Sequence, residues 1–377
     1  MSPVRVSNQS GYGLLATVLM VIVFAIMGLV GLSMARQELR TETAVTAREV
    51  AFYAAETGLA RGLDNWSTPA GLIPTDTFWL LDSGPLPSGA NYSVGASRLD
   101  DGSAVHATYT IRSEGQARDG RAQQVSLLVA TMPVEDPFKA ALQVLDSVTL
   151  KGTADVTGFD RIPIEWNGPF CTQLDDHKPG VVMVDTTAFE TKGGAKAEGA
   201  PPLDEDTDTV GFFNFGPITY EELAADADIT LADGTVIDDS NPTLPSYDFG
   251  GACNTADPYN WGDPLNPSLP CANWFPTIHV AGDLQLEGNY RGQGLLLVDG
   301  DIRAQGGFEF YGPVIVKGDL VSAGNFEIYG GVKGKKADMS VGTSQIYYSA
   351  CVLQRVLSNT RAARPRALVD RPWFQRR

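Results

Sequence analysis

The chain has 377 residues, a formal net charge of -17, 43% hydrophobic residues and 19% charged ones. Such a composition belongs to a folded chain long enough for two or three domains, and its acidity excludes a nucleic-acid partner, which needs a basic footprint. With 40 Gly and 23 Pro, many turns and little helix are expected beyond the N-terminal segment.

The first element is the most informative. Tyr12 to Ala35 carries no charge, and as a helix that run spans about 36 Å, enough for a bilayer core of about 30 Å. No proline occurs between Val4 and Trp66, so nothing stops the helix at the membrane edge. Past Arg36, Phe52, Ala55, Leu59 and Leu63 recur at three and four residues and make one apolar stripe. A single helix from Tyr12 to about Leu63 is expected. A cleaved secretory signal fits poorly: the apolar run is too long, and the helical pattern passes through the one small-residue cut, Ser33–Ala35.

A short polar leader ending in Gly11, an uncharged helix and an amphipathic continuation resemble a type IV prepilin. Ala54-Ala55-Glu56-Thr57-Gly58-Leu59, behind that helix, is similar to the small-residue stretch of PilX-type minor pilins. The resemblance covers about the first 65 residues. It implies a prepilin leader (residues 1–11), cleavage after Gly11 by a prepilin peptidase, and N-methylation of Tyr12. It further implies a pilin-like helix (residues 12–65) that packs among other pilins or pseudopilins. The implied location is the bacterial inner membrane as a single-pass protein with its head in the periplasm or outside, and afterwards a pilus or pseudopilus. Major pilins carry Glu five residues after the cut, where this chain has Ala16. A carboxylate in lipid is costly and needs a partner, so its absence suits a minor component. The basic residues run against the implied orientation: Arg5 alone precedes the helix, whereas Arg36, Arg40 and Arg48 follow it.

Residues 66–135 are expected to form a small antiparallel β head. Trp66 to Gly89 reads as a connecting loop. Asn91–Leu99, His106–Arg118 and Arg121–Met132 read as strands, the last two joined by a two-residue turn at Asp119-Gly120.

Residues 136–357 are expected to be a β-solenoid holding an acidic, loop-rich insertion at residues 163–275. That insertion has 12 Pro and 20 Asp/Glu against 3 Lys and no Arg, and is expected to hold short strands such as Val181–Val184. Within it, Asp204–Phe215 fails the EF-hand test, with Thr209 at position six and Phe215 at position twelve; a solvated acidic surface is the simpler reading. Beyond the insertion, Gly282-Asp283, Gly300-Asp301 and Gly318-Asp319 recur every 18 residues, as do Phe308–Gly312 and Phe326–Gly330. Three aligned turns of this length suggest a parallel β-helix with short strands and glycines at its corners. Leu145 to Asp160 reads as an earlier coil. The aromatic column of Tyr290, Phe308 and Phe326, with Tyr311, could offer a sugar-stacking face, but its match to the coil period favours core stacking. The fold class is therefore α+β: a long N-terminal transmembrane and amphipathic helix, a small antiparallel sheet, then a right-handed parallel β-helix region.

Ile346 to Leu357 resembles the close of the same minor pilins. Residues 358–377 form a basic tail, either solvated or docked on the acidic insertion or a neighbouring subunit. Four cysteines without zinc spacing suit an exported domain with up to two disulfides and three possible pairings. A Cys253–Cys271 bridge would close a Pro/Asn/Trp-rich loop, worth about 3 kcal/mol, and would leave Cys171 with Cys351; free buried thiols are the alternative. The histidines (His106, His177 and His279) form no recognisable catalytic set, and Lys192–Gly199 lacks the end of a phosphate loop. Asp175-Asp176-His177 near Cys171 could bind a metal, but a polar loop explains it equally. No catalytic residue, metal or cofactor is expected. The function read from sequence is non-enzymatic: assembly, priming or decoration of a filament, with an extracellular surface ligand as a further partner class. The rivals are a membrane-anchored β-helix protein that binds or cleaves envelope polysaccharide, and a bactofilin-like polymer joined through solenoid ends.

Overall fold

The computed structural model describes residues 10–64, 66, 77–99, 107–131, 137–168, 170–171, 176–215, 218–359, 366–367 and 373–376. An apolar N-terminal helix is followed by a mostly β body. Helix α1, Ser10–Asp64, is unbroken over 55 residues, a rod of about 82 Å. Residues 16–43 are exposed all round. From Ala51 onward the helix lies on an antiparallel sheet of β1 (Trp79–Pro85), β2 (Asn91–Arg98), β3 (Ala107–Gln116) and β4 (Ala122–Thr131), paired in that order.

Two findings differ from the sequence reading of this head. Strand β1 lies in the stretch read as a connecting loop. The β3–β4 turn is a three-residue loop closed by Ala117 N–H to Arg121 O at 2.8 Å, with Gly120 at φ 85°. One left-handed residue after a tight turn gives the bulged three-residue hairpin rather than the two-residue type I′ form. The β1–β2 loop repeats it, with Leu86 N–H bonded to Ala90 O and Gly89 at φ 79°.

The rest of the body is short parallel strands. In chain order the first set is β5 (Leu142–Val144), β6 (Val148–Leu150) and β7 (Asp155–Thr157). A second is β8 (Val181–Met183), β9 (Phe189–Thr191) and β10 (Lys196–Glu198), and β11 (Leu203–Glu205) begins a third. Helix α2 (Tyr220–Ala225) leads to β12 (Ile229–Leu231) and β13 (Thr235–Ile237). The regular turns follow: β14 (Thr277–Val280), β15 (Leu284–Leu286) and β16 (Arg291–Gln293); β17 (Leu295–Val298), β18 (Ile302–Ala304) and β19 (Gly307–Tyr311); β20 (Val314–Ser322) and β21 (Asn325–Gly330); β22 (Val332–Met339) and β23 (Ser344–Tyr348). Helix α3, Ala350–Asn359, closes the series.

The 18-residue period is a pairing register. Ile278 sits opposite Leu296, Leu296 opposite Val314, and Val314 opposite Val332, all parallel. Phe308 opposes Phe326, and their rings stack at 6.4 Å. Both are buried, so this part of the aromatic column is core. At one corner the Asp301 N–H donates to Asp283 Oδ1 at 2.8 Å and the Asp319 N–H to Asp301 Oδ1 at 2.9 Å. Glycine precedes each aspartate because a Cβ on Gly300 or Gly318 would collide with the carboxylate of the previous turn. That steric fact explains the repeated Gly-Asp pair.

The order of turns is not the order of the chain. Strand β22 pairs with β5 and β6, and β23 pairs with β7. The stretch read as an earlier coil therefore stacks beyond the last regular turn, with β8, β9 and β10 stacked beyond it in turn. At the other end β12 and β13 stack on β14 and β15. Residues read as a loop-rich insertion thus supply strands at both ends.

Residues 206–215 and 218–228 run between those ends along one sheet face. Asp206 pairs with Lys139 at 2.5 Å, Lys333 Nζ donates to Asn214 O at 3.0 Å, and Lys317 Nζ donates to Glu221 at 3.0 Å. Asp228 then accepts from the Thr277 N–H at 2.9 Å. Helix α2 begins with a reciprocal capping box between Thr219 and Glu222.

The C-terminal tail adds β24 (Arg366–Ala367) and β25 (Trp373–Arg376), both antiparallel to β4. The described backbone of the tail covers an edge of the head sheet. Arg361, Arg364, Arg371 and Arg377 lie outside the described residues.

Candidate functional site

Two features stand out: the projecting half of α1 and the outer face of one sheet. The helix contains an 18-residue window of mean hydropathy 2.7, and none of that window is buried. Its lower half is fastened by small residues. Ala51, Ala54 and Ala55 are fully buried, while Gly58 and Gly62 face Ser113, Tyr92 and Val94. A Cβ on Gly115 of β3 would strike the backbone of Ala51 and Ala55. Helix and sheet therefore approach almost to backbone contact, which is the local reason for Ala54-Ala55 and Gly58. Arg61 Nη1 donates to Tyr92 Oη at 2.9 Å, and that hydroxyl donates to Asp82 at 2.8 Å. The Tyr92 hydroxyl is the main reason the Arg61 pKa is raised.

Gly11 and Tyr12 fall in the first turn of α1; residues 1–9 of the expected leader lie outside the described residues. Cys171 is bonded to Cys351 with Cα atoms 5.8 Å apart, and Cys253 to Cys271 at 4.9 Å. The first bridge sits in an aromatic cluster with Trp166, Phe275 and Tyr311, beside α3. Arg355 of α3 lies over the Phe170 ring at 3.7 Å and donates to Asn273 Oδ1 at 2.8 Å; burial lowers its pKa. The second bridge closes a loop that caps β16. Gln293, fully buried, donates its amide to the carbonyls of Cys271, Ala272 and Trp274 at 3.2, 3.2 and 2.7 Å.

The metal candidates come apart. Asp176 accepts from Tyr348 Oη at 2.8 Å and His177 Nδ1 accepts from the Asp160 N–H at 3.3 Å, while Asp175 and His106 lie outside the described residues. In the acidic run, Asp206 and Asp208 accept from the N–H groups of Asp208 and Val210 at 3.0 and 3.1 Å. No group of three or more His, Cys, Asp or Glu placed to hold a metal occurs among the described residues.

No sequence pattern marks the outer sheet face as a unit. Strands β16, β19, β21, β23, β7 and β10 pair in that order. Their register lines up Arg291, Glu309, Glu327, Gln345, Asp155 and Lys196 in one row. Arg291 binds Glu309 through two nitrogens, at 2.6 and 3.1 Å. A polar groove of about 460 Å³ lies over Arg291, Glu309, Glu327 and Gln345 of this row, with Asn289, Asn325 and Thr343 along its side. On the other flank Tyr311, Tyr329 and Tyr347 stack at 5.4 and 5.1 Å. Burial, reinforced by Glu309 beside Tyr311 and Glu327 beside Tyr329, pushes both phenols far above their ordinary range. The signal was available in part: Glu309 and Glu327 hold the same place between inward aromatic or aliphatic residues in successive repeats, as period-two alternation requires. Asp155 and Lys196 carry no repeat motif.

No protein-family model matches the chain, and no curated protein matches it. Among solved structures it is similar to the competence-associated pilin ComZ from Thermus thermophilus, at 12% identity. The alignment covers 88% of this chain and 98% of that one with a TM-score of 0.26, a likeness too loose to fix fold or role.

Proposed function

We propose that the chain is a non-enzymatic minor pilin or pseudopilin of the PilX type. In this reading α1 is released from its leader after Gly11, methylated at Tyr12, held in the inner membrane, and then packed among the helices of other pilins. The parallel turns are read as a β-solenoid that enlarges the head. A head of about 300 residues and Ala16 in place of a buried carboxylate both suit low copy number, in priming, capping or decorating a filament.

One observation carries the reading. A single continuous helix is bare and apolar over residues 16–35 and fixed to a globular head from Ala51 onward. Exposed apolar surface on that scale calls for lipid or partner helices. Cell fractionation tests it. The intact chain should partition between the membrane and a sheared surface-filament fraction, and a chain lacking residues 12–40 should enter neither. An intact chain found in membranes but never with filaments would overturn assembly and leave only anchoring.

A further inference from the structure

The outer row of the six-stranded sheet has the properties of a binding face for an extended, hydroxyl-rich ligand. Its strands repeat every ~4.8 Å across the stack, so like-placed side chains recur at a spacing comparable to one sugar unit in an extended chain. Acceptors and donors line it with little apolar surface: Glu309 and Glu327 accept, Asn325 and Gln345 can donate, and Arg291 is held by Glu309. The groove volume of about 460 Å³ lies within the usual range for ligand clefts, roughly 300–1,000 Å³. Beyond the groove, Asp155 continues the row in register between Gln345 and Lys196, and one of its oxygens lies 3.7 Å from Lys196 Nζ.

The chemistry narrows the ligand. The Glu309 and Glu327 carboxylates in the groove oppose phosphate, sulfate and uronate groups. Strands β19, β21 and β23 are paired on both sides, so an incoming peptide strand has no free edge there. The row contains no apolar pocket for a hydrophobic anchor. The Tyr311, Tyr329 and Tyr347 rings stack on one another, so they form a wall and leave recognition to hydrogen bonds.

We propose that this face binds a neutral linear oligosaccharide laid across the strands, along the row from Arg291 to Gln345. Its hydroxyls would donate to Glu309 and Glu327 and accept from Asn325 and Gln345. The site does not rest on the pilin reading, since it lies wholly on the body.

The test is calorimetric titration of the full-length protein in detergent. Cellohexaose, chitohexaose and isomaltohexaose serve as neutral probes, and hexagalacturonate as an acidic one. At least one neutral hexasaccharide should bind at millimolar concentration or below. Glu327→Ala and Asn325→Ala, both at solvent-facing positions, should each weaken that binding by about tenfold or more with unchanged melting. Glu190→Ala, on β9 away from the row, should leave it unaltered. Failure of every neutral probe, binding of hexagalacturonate alone, or full binding by both row variants would overturn the proposal.

Discussion

At the scale of residues, close approach decides which side chains are allowed. Gly115 is glycine because α1 passes where its Cβ would be. Gly115→Ala should therefore lower the head's stability by about 1–3 kcal/mol in urea unfolding, the usual cost of forcing atoms into a packed contact. Gly28→Ala has open space around it and should leave the curve unchanged. The tyrosines give a pH signature. Burial raises Tyr220, Tyr311 and Tyr329, and hydrogen bonding to Asp239 pushes Tyr290 up to about 12. An acid whose folded pKa is raised stays protonated in the native state while the unfolded chain ionises. Its stabilisation is complete below the unfolded value near 10 and is lost as pH rises through the folded one. Titration followed at 295 nm should show these phenols ionising with unfolding, above the ordinary tyrosines. A single reversible step near pH 10 for all 12 tyrosines would contradict the packing.

At the scale of elements, the same chain shows what is local and what is not. Helix α1 and strands β2 to β4 were legible because uncharged length, alternation and turn residues are local signals. The regular turns were legible because Gly-Asp corners and Phe-Glu-Phe alternation repeat in sequence. The short strand read at Val181–Val184 is β8, but strands β9 to β13 were hidden: three residues each, within acidic and proline-rich sequence, they are strands because of the neighbours they meet. Pairing of the tail with β4 was equally invisible, since basic composition suggests solvation. Unpaired sheet edges invite self-association. Removal of residues 360–377 should therefore produce concentration-dependent association of the detergent-solubilised protein in sedimentation velocity; identical behaviour of truncated and intact chains would show that β4 needs no cover.

At the scale of the molecule, the stack is permuted. The chain enters beyond the last regular turn, builds outward through β11, crosses the face by way of α2, and returns through β14 to β23. No sequence pattern encodes that order, because it is set by which turn docks on which. The ends are also finished differently. The Cys253–Cys271 loop and Gln293 cover β16, whereas Glu190, Lys192, Lys196 and Glu198 place charge on the far edge strands. Covered and charged ends oppose end-to-end growth of the stack, which disfavours a polymer joined through those ends. The proposed processing of α1 for filament assembly is decided by mass spectrometry of the mature N-terminus after co-expression with a prepilin peptidase. A chain beginning at N-methylated Tyr12 is expected; an intact start at Met1 or Ser2, or a cut after Ala35, would show that α1 is not processed as a prepilin.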